Sequence, residues 1–332
     1  MKRILITGAT GFVGRHLCQR LLHDRCKVRA AVRSVEAAAS LPRSLEHVVI
    51  RDVAASPDWS KALRNVDVVV HLVARAHVIK ETEADPLESY RKINVCATER
   101  LLEACHRAGV RRVVFLSSIG VLGRGSDISY RETDQCQPED DYAKSKLEAE
   151  HLVAGFGREG YLETVVLRPP LVYGPGVGGN FLRILKLLRR GVPLPLGRVN
   201  NARSMIFVDN LTDAIVCCAM APQAANETFH VADSIPMATS ELVQELARHL
   251  HAPTRLLPLP VSWLHMAGVL AGKSLDVDRL TRSLKVDSSR IRQVLGWKPL
   301  VSKEEGLCRT VESFLRSQGD TDSWRYVFRK SA

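Results

Sequence analysis

A tyrosine and a lysine lie four residues apart in the segment Tyr142-Ala143-Lys144-Ser145-Lys146. Side chains at positions i and i+4 share one face of a helix. A tyrosine phenol has an unperturbed pKa of about 10 and is a poor acid or base at neutral pH. A neighbouring ammonium stabilises the phenolate and lowers that pKa. We therefore predict that Tyr142 and Lys146 act together in proton transfer, with an ordinary helix surface as the alternative.

Two serines, Ser117 and Ser118, follow the predicted buried strand Arg112–Leu116. The carboxyl ends of parallel strands form the edge of a sheet at which ligands bind. We therefore expect a serine hydroxyl at this edge to orient the reacting oxygen.

A glycine-rich loop, Gly8-Ala9-Thr10-Gly11-Phe12-Val13-Gly14, joins the first predicted strand to the first predicted helix. Gly8 permits the tight turn, Gly11 lets the backbone approach a pyrophosphate, and Gly14 allows close helix–sheet packing. The helix N-terminus supplies amide groups and a partial positive charge for phosphates. The loop therefore predicts a bound dinucleotide rather than a plain turn.

The end of the second strand bears on which dinucleotide binds. NAD sites usually carry an acidic residue there, whereas an arginine accommodates the 2′-phosphate of NADP. This chain has Arg33 after Val32 and no acidic residue before Glu36. The sequence thus favours NADP over NAD, unless Arg33 is only a solvated strand end. Asp52, after the third strand, is expected to accept a hydrogen bond from the adenine amino group.

Strand-length apolar runs alternate with amphipathic helical runs through the first half of the chain. The predicted strands are Arg3–Thr7, Val28–Val32, His47–Ile50, Asp67–Val73, Arg112–Leu116 and Thr164–Leu167. The predicted helices are Val13–His23, Trp59–Leu63, Pro86–Ala108 and Asp141–Phe156. This order predicts an α/β fold with a doubly wound parallel (Rossmann) sheet and a ligand crevice at the carboxyl ends of its strands.

The pattern changes after Arg168, where proline and glycine surround the basic amphipathic helix Phe181–Arg190. The later predicted elements are the strands Met205–Val208 and Thr228–Val231 and the helices Asn210–Met220, Thr239–Leu250 and Ser288–Leu295. We predict a dinucleotide-binding domain of residues 1–170 and about 204–235. Residues of about 171–203 and 236–332 form a smaller, discontinuous substrate lobe.

The composition narrows the class of protein. Of the 332 residues, 45% are hydrophobic and 25% are charged, as in globular chains with a sizeable core. The net charge of +11 favours anionic partners, whereas 5% aromatic residues argue against a stacking surface for nucleic acid. The eight cysteines form no C-x-x-C pair or zinc-site spacing, so we expect no metal and a reducing, cytoplasmic location. We identify neither a signal peptide nor an integral membrane segment.

The chain resembles the extended short-chain dehydrogenases/reductases, in the nucleotide-sugar epimerase/dehydratase group. The motifs that carry the resemblance are TGATGFVG, SSIGVLG, YAKSK, LRPPLVYGPG, NFLRILKLLRRG, RSMIFVDNLTDAI and VLGWKP. The resemblance implies that Ser118, Tyr142 and Lys146 are catalytic. It implies that the dinucleotide is contacted by Gly8, Gly11, Phe12, Val13, Gly14, Arg33, Asp52, Val53, Leu72, Ala74, Ser117, Tyr142, Lys146 and Pro169.

The same resemblance implies a set of substrate contacts. Asn180 and Phe181 match the segment that holds the nucleotide base, and Arg203 matches the arginine that clamps the sugar-nucleotide pyrophosphate. Either Arg279 or Arg282 supplies a second arginine, unless both lie on a solvated helix face. Ser118 and Pro195 complete the expected contacts, and the resemblance also implies a homodimer.

The departures from the family pattern are informative. The 4,6-dehydratases carry an Asp-Glu pair directly after the catalytic serine or threonine, and here Ile119 and Gly120 stand there. Neither residue can move a proton, so dehydratase activity is disfavoured. Leu122 replaces a tyrosine that often flanks the sugar, and Leu171 replaces an asparagine common after the sixth strand.

The resemblance therefore predicts an NAD(P)-dependent enzyme that acts at C4 of a UDP-hexose or UDP-N-acetylhexosamine. Arg33 favours a 4-keto reductase of the UDP-N-acetylquinovosamine type, in surface polysaccharide (lipopolysaccharide O-antigen) synthesis. A UDP-glucose or UDP-N-acetylglucosamine 4-epimerase with tightly held NAD is the alternative. A second alternative is an epimerase of a lipid-linked sugar, with peripheral membrane contact through Phe181–Arg190 and the apolar stretch Leu256–Gly272. A catalytically idle nucleotide-binding regulator is disfavoured by the intact Ser118, Tyr142 and Lys146.

Overall fold

This computed structural model describes residues 2–76 and 85–319 of the chain. The described residues contain eleven strands and thirteen α-helices, joined by loops and shorter turns. The strands are β1 (Arg3–Thr7), β2 (Lys27–Val32), β3 (Glu46–Val49), β4 (Val68–His71), β5 (Arg112–Leu116), β6 (Ser126–Tyr130), β7 (Glu163–Arg168), β8 (Leu171–Tyr173), β9 (Met205–Phe207), β10 (Glu227–His230) and β11 (Leu284–Val286). The helices are α1 (Phe12–His23), α2 (Val35–Ala38), α3 (Ser60–Leu63), α4 (Pro86–Arg91), α5 (Ala97–Arg107), α6 (Asp141–Arg158), α7 (Gly179–Arg189), α8 (Val208–Met220), α9 (Thr239–His249), α10 (Val261–Leu270), α11 (Ser274–Thr281), α12 (Ser289–Leu295) and α13 (Lys303–Ser317).

Seven of these described strands form one parallel sheet in the order β3-β2-β1-β4-β5-β7-β10. Ile4 of β1 aligns with Val28 of β2 on one side and with Val68 of β4 on the other. The chain runs outward from β1 to β3, then returns and continues outward from β4. This confirms the predicted doubly wound, Rossmann-like sheet, whose crevice opens at the carboxyl ends of β1 and β4.

Helices cover both faces of the sheet, which explains why its strands are apolar almost throughout. On one face, alternate residues such as Ile4 and Val70 pack with α1 and α8 in a buried cluster. On the other face, Leu5, Val69 and Phe115 pack with α3, α5 and α6. The crevice edge is therefore held between two rigid layers.

A separate apolar cluster forms the core of the smaller lobe. Helices α7, α9 and α13 pack there around Tyr173, Phe181, Leu246 and Phe314. The short strands β8 and β9 pair with each other, as do β6 and β11. Within the described residues, no helix combines the length and apolar character that crossing a bilayer requires.

The structure differs from the sequence-based elements in several places. The predicted helix Pro86–Ala108 consists of α4, a π-helical turn at Lys92–Cys96, and α5. The strand predicted at Asp67–Val73 is the shorter β4. The short strands β6, β8 and β11 were not predicted, because β8 and β11 have only three residues, too few for a periodicity. Helix α10 is apolar apart from Ser262 and His265, which leaves no clear helical periodicity.

Candidate active site

The glycine loop after β1 has a shape that only glycine permits. Gly8 adopts φ +72°, and a Cβ there would lie 2.9 Å from the carbonyl carbon of Leu72. A Cβ on Gly14 would lie 2.2 Å from the carbonyl oxygen of Gly8. Gly11 caps α1 without a side-chain hydrogen bond, so no capping side chain occupies the first-turn amides. The loop thus presents bare backbone where phosphates can approach.

The ends of β2 and β3 lie on the same edge of the sheet as this loop. Arg33 directly follows β2 and is exposed. Asp52 is also exposed, and its Oδ1 accepts a hydrogen bond from the Ala54 amide at 2.8 Å. Val53 packs against the sheet face that α3 covers. The residues predicted to bind adenosine therefore lie at the same edge of the sheet as the glycine loop.

The two serines occupy the end of β5. Ser118 Oγ accepts a hydrogen bond from the Gly120 amide at 3.2 Å, and a Cβ on Gly120 would lie 3.8 Å from Ala143 Cβ. The Ser118 hydroxyl is therefore beside the start of α6. The Ser117 hydroxyl is buried and has no hydrogen-bond partner within the described part of the chain. A buried unpartnered hydroxyl is costly without a ligand, so Ser117 fits a contact with one.

Helix α6 brings Tyr142 and Lys146 to the crevice. Asp140 caps this helix by accepting a hydrogen bond from the Ala143 amide at 2.8 Å. The Tyr142 ring contacts the Tyr90 ring edge-on, with centroids 6.2 Å apart. Lys146 is buried, and its Nζ lies 3.9 Å from the centroid of the Phe115 ring on β5. The helix therefore places the predicted proton-transfer pair against the end of β5.

Burial dominates the titration of this pair. It raises the pKa of Tyr142 to about 12, and the nearby Asp140 adds to the effect. It lowers the pKa of Lys146 to about 7. In the protein alone, burial, Asp140 and Tyr90 raise the pKa of Tyr142, and the expectation that Lys146 lowers it stays a prediction.

A buried hydrogen-bond chain behind the site was not predicted. His71 at the end of β4 lies between the hydroxyls of Thr7, at 2.6 Å, and Thr98, at 2.9 Å. The Thr98 hydroxyl donates to the carbonyl of Asn94, so it accepts from His71 Nε2–H. Burial, followed by the Lys146 charge, lowers the pKa of His71 to about 3. His71 is thus a neutral, fixed crosslink between β1, β4 and α5.

Asn94, in the π-helical turn, extends this chain to α6. Its side chain accepts from the Arg75 amide at 2.8 Å and donates to Ser145 Oγ at 2.9 Å. Ser145 in turn donates to the carbonyl of Tyr142 at 2.8 Å. Such turns are frequent at functional sites, but helical periodicity does not reveal them. Asn94 therefore ties the loop after β4 to the helix that carries Tyr142.

A buried ion pair lies one turn beyond Lys146 and was also missed. Glu150 Oε2 lies 2.6 Å from Arg168 Nη2, and both side chains are almost fully buried. The Glu150 charge raises the pKa of Lys146, against the larger effect of burial. The spacing Tyr142, Lys146, Glu150 was the available sequence signal, because i, i+4 and i+8 share one helix face.

The smaller lobe brings two arginines towards α6. Burial, together with the smaller effect of the Arg279 charge, lowers the pKa of Arg203 to about 10. Arg203 Nη1 donates to the carbonyl of Arg282 at 2.9 Å. Arg279 Nη2 is 3.9 Å from Asp140 Oδ2, at the start of α6. The Arg282 guanidinium instead contacts Asp278 at 3.2 Å, so Arg279 is the arginine whose charge acts on Arg203.

Arg203 forms no salt bridge with Asp209 or Asp213, the acidic residues that follow β9 in the chain. Asp209 contacts His16 at 3.0 Å, and Asp213 contacts Arg20 at 2.7 Å. Arg203 is therefore available for an anion.

The other predicted substrate residues differ in their exposure to solvent. Asn180 is exposed in the first turn of α7, whereas Phe181 is 2% exposed and stacks on Tyr173 in the lobe core. The Phe181 ring therefore cannot hold a nucleotide base, and only its backbone could do so. Pro195 is partly buried, next to Leu194. A polar cavity of about 420 Å³ adjoins Arg282.

The comparisons with known proteins agree with this geometry. The model of the NAD dependent epimerase/dehydratase family matches residues 4–232. The chain is 42% identical over 320 residues to a UDP-glucose 4-epimerase of Vibrio cholerae, covering 95% of this chain and 96% of that one. A solved structure, MoeE5 in complex with UDP-glucose and NAD, is 28% identical with a TM-score of 0.77, covering 95% and 99% of the two chains.

A second solved structure supports the fold alone. The UDP-glucuronic acid 4-epimerase of Bacillus cereus, in complex with NAD, is 22% identical with a TM-score of 0.79 and covers 95% of this chain and 99% of that one. A Rossmann-like sheet, a glycine loop and a Ser/Tyr/Lys cluster thus occur together with a family match over most of the chain.

Proposed function

The chain belongs to the NAD dependent epimerase/dehydratase family, and from this premise we propose that it interconverts the C4 epimers of a UDP-linked hexose or N-acetylhexosamine. It is an NAD(P)-dependent enzyme of the short-chain dehydrogenase/reductase type that acts on nucleotide sugars. The observation that carries the epimerase proposal is the 42% identity to a UDP-glucose 4-epimerase over nearly the full length of both chains.

The residues around the crevice fit a dinucleotide. Gly8 and Gly14 leave bare backbone where a Cβ would clash, and the Ser117 hydroxyl is buried without a partner in the described chain. The loop would hold the pyrophosphate, Ser117 and Lys146 the nicotinamide half, and Arg33 and Asp52 the adenosine half. When bound, the oxidised dinucleotide supplies a hydride acceptor and a positive charge in the crevice.

We assign the proton transfer to Tyr142. The Tyr142 phenolate would take the proton of the sugar C4 hydroxyl as a hydride leaves that carbon, and the resulting phenol would return the proton when the hydride is restored on the opposite face. Its pKa of about 12 keeps it protonated in the protein alone, so a positive charge in the crevice is needed to favour the phenolate. Ser118 would hold the same oxygen, and protonated Lys146 would stabilise the phenolate.

Arg203 and Arg279 would bind the diphosphate of the UDP-sugar. Burial and the charge of Arg279 lower the pKa of Arg203, and an anion bound beside both guanidinium groups would offset that repulsion. Because Arg279 lies 3.9 Å from Asp140, the cap of α6, an anion bound by Arg279 would lie near the start of the helix that carries Tyr142.

Two family activities compete with the epimerase. Ile119 is buried and Gly120 has no side chain, so neither provides the acid and base of a 4,6-dehydratase. A 4-keto reductase needs the same Ser118, Tyr142 and Lys146, and Arg33 favours its reductant NADPH. Cofactor turnover separates the two, since an epimerase regenerates its NAD in each cycle, whereas a reductase exchanges it.

The test is to incubate the purified protein with UDP-glucose or UDP-N-acetylglucosamine without added dinucleotide, and to quantify the C4 epimer. Denaturing a second aliquot identifies the released dinucleotide. We expect the C4 epimer to form and NAD to be released in stoichiometric amount from the denatured protein. We expect no C4 epimer from Tyr142→Phe. NADPH consumption with a 4-keto UDP-sugar and no epimer would establish the reductase instead. The homodimer, the cytoplasmic location and the polysaccharide pathway stay predictions.

A further inference from the structure

Helix α10 exposes an apolar face in the smaller lobe. Trp263, Met266 and Leu270 are spaced three and four residues apart, so they form one stripe on the helix. Trp263 is 60% exposed and Leu270 is 83% exposed. Val269 and Leu275 beside them are also exposed. We call Trp263, Met266, Val269, Leu270 and Leu275 the α10 face.

The opposite side of α10 already has a packing partner. A Cβ on Gly268 would lie 2.7 Å from Val277 Cγ2, so α10 packs closely on α11 there. Val261 and Leu264, on this inner side, pack against the lobe core. The α10 face therefore points away from the protein, and much of its apolar surface is uncovered.

Basic residues predominate around the α10 face, and Asp276, which follows Leu275, lies 4.0 Å from the Arg279 guanidinium. The sequence contains no aspartate or glutamate at positions 246–275, nor at positions 164–208. These two segments pair directly, because the Leu194 amide donates to the Arg255 carbonyl at 2.8 Å and the Leu257 amide donates to the Leu194 carbonyl at 2.8 Å. Arg190, Arg255 and Lys273 are all exposed. An apolar stripe with a tryptophan and flanking cations matches the surface of an anionic bilayer.

We propose that the α10 face docks on the headgroup region of an anionic lipid membrane, with Trp263, Met266 and Leu270 inserted and the flanking cations contacting lipid phosphates. A second copy of this chain is the other occupant to consider. Pairing two copies through this face would bring two cationic rims together, which disfavours association, whereas anionic lipid neutralises them. This inference does not depend on the sugar-nucleotide proposal.

The experiment is sedimentation of the full chain with vesicles of phosphatidylglycerol and phosphatidylethanolamine, compared with phosphatidylcholine alone. We expect binding to the anionic vesicles only, weakening as salt screens the cations. Met266→Glu/Leu270→Glu should reduce that binding by at least about tenfold, since it puts two charges in the inserted stripe. The matched control is Leu300→Glu, which alters an apolar side chain that is 69% exposed outside the α10 face.

A spectroscopic readout reports insertion directly. Trp59 and Trp297 are each 4% exposed, so among the described tryptophans only Trp263 can move from water into lipid. In a Trp324→Phe background, which silences a tryptophan outside the described residues, anionic vesicles should shift the emission to the blue. Adding Trp263→Phe should abolish the shift.

Three results would overturn the proposal. Wild-type protein that binds neither kind of vesicle would do so, as would equal binding by the Met266→Glu/Leu270→Glu and Leu300→Glu variants. A dimer that light scattering detects in wild type and not in Met266→Glu/Leu270→Glu, without vesicle binding, would assign the α10 face to a second copy. Far-UV circular dichroism and urea unfolding midpoints close to those of wild type would show that both glutamate variants fold.

Discussion

At the scale of single residues, the hydroxyl of Tyr142 is the group on which the proposed chemistry depends. Tyr142→Phe removes that hydroxyl and keeps the ring that contacts Tyr90. We expect turnover to fall by about 10² to 10⁴-fold with UDP-sugar binding largely intact, because only proton transfer is lost. Steady-state rates and calorimetry with UDP measure the two effects. Near-normal turnover would remove Tyr142 from the mechanism.

Arg203 offers a second single-residue test, in the other half of the site. A charge-assisted contact to phosphate contributes about 1.5 to 3 kcal/mol, so Arg203→Ala should raise KM for the UDP-sugar by roughly 10- to 150-fold. Arg203→Lys should recover only part of this, since an ammonium lacks the bidentate fork. Arg107→Ala, which alters an exposed arginine on α5, is the control. Calorimetry that finds weaker dinucleotide binding and unchanged UDP binding would place Arg203 in the dinucleotide site and contradict this prediction.

His71 makes stability depend on pH. Its pKa is about 3 in the folded protein, against an unfolded value of about 6.5, so the unfolded chain binds more protons between these values. Stability should fall as pH decreases from 6.5 to 3, with a contribution from His71 of up to about 5 kcal/mol. His71→Asn should flatten this slope in urea titrations. Part of the slope should persist, because buried His230 has a pKa of about 4.

The control for that experiment is His23→Asn, which alters an exposed histidine at the end of α1. It should keep the wild-type slope. An identical slope in His71→Asn and in wild type would mean that His71 is charged in the folded protein or exposed to solvent.

At the scale of elements, we predict opposite changes in stability when either of two helical glycines is replaced by alanine. Gly14 in α1 faces the Gly8 carbonyl, and a Cβ there would clash at 2.2 Å, whereas nothing lies within 4 Å of a Cβ on Gly155 in α6. Gly14→Ala should destabilise by about 1–3 kcal/mol and weaken NAD binding, because α1 must move off β1. Gly155→Ala should stabilise by up to about 1 kcal/mol. Chemical denaturation measures both, and equal effects would contradict the packing described for the loop.

The elements also show how far sequence reasoning reaches. The parallel strands were predicted nearly residue for residue, because burial on both faces leaves long apolar runs between helices with a clear period. The π-helical turn at Lys92–Cys96 was not predicted, since one extra residue per turn does not require a different amino-acid composition. Helix α13 was missed although Ser302 caps it by accepting from the Glu305 amide, a signal present in the sequence.

For the candidate site, the sequence revealed the local motifs but not the tertiary contacts. The sequence predicted the neighbourhood of Ser118, Tyr142 and Lys146, because each lies at a fixed offset from a strand end or helix start. It could not predict that burial raises the pKa of Tyr142, nor that the Phe181 ring is in the lobe core. Both depend on residues distant in sequence, as does the Glu150–Arg168 pair.

At the scale of the whole molecule, a buried carboxylate joins the sheet to the lobe. Asp233 accepts hydrogen bonds from the Tyr173 hydroxyl at 2.9 Å, the Phe207 amide at 3.1 Å and Asn210 Nδ2 at 2.8 Å. Asn210 also exchanges two hydrogen bonds with the backbone of Val301, ahead of α13. The two parts of the chain therefore share one polar junction.

Removing one donor from this junction should weaken the whole protein. Tyr173→Phe should lower the free energy of unfolding by about 1.5–3 kcal/mol, because a hydrogen bond to a buried charge is lost. Tyr161→Phe, at a half-exposed ring, should change it by less than about 0.5 kcal/mol. Urea titrations of the two variants make the comparison. Equal midpoints would mean that Asp233 does not need the Tyr173 hydroxyl.

The order of the sheet has a consequence for how the chain is made. The first strand synthesised, β1, ends up near the centre, and every later strand of the sheet pairs with one that already exists. Strands β2 and β3 extend one edge, and then β4, β5, β7 and β10 extend the other. No strand has to be inserted between two that are already paired. The sheet can therefore grow outward as the chain leaves the ribosome, with each new edge covered by the next segment to emerge.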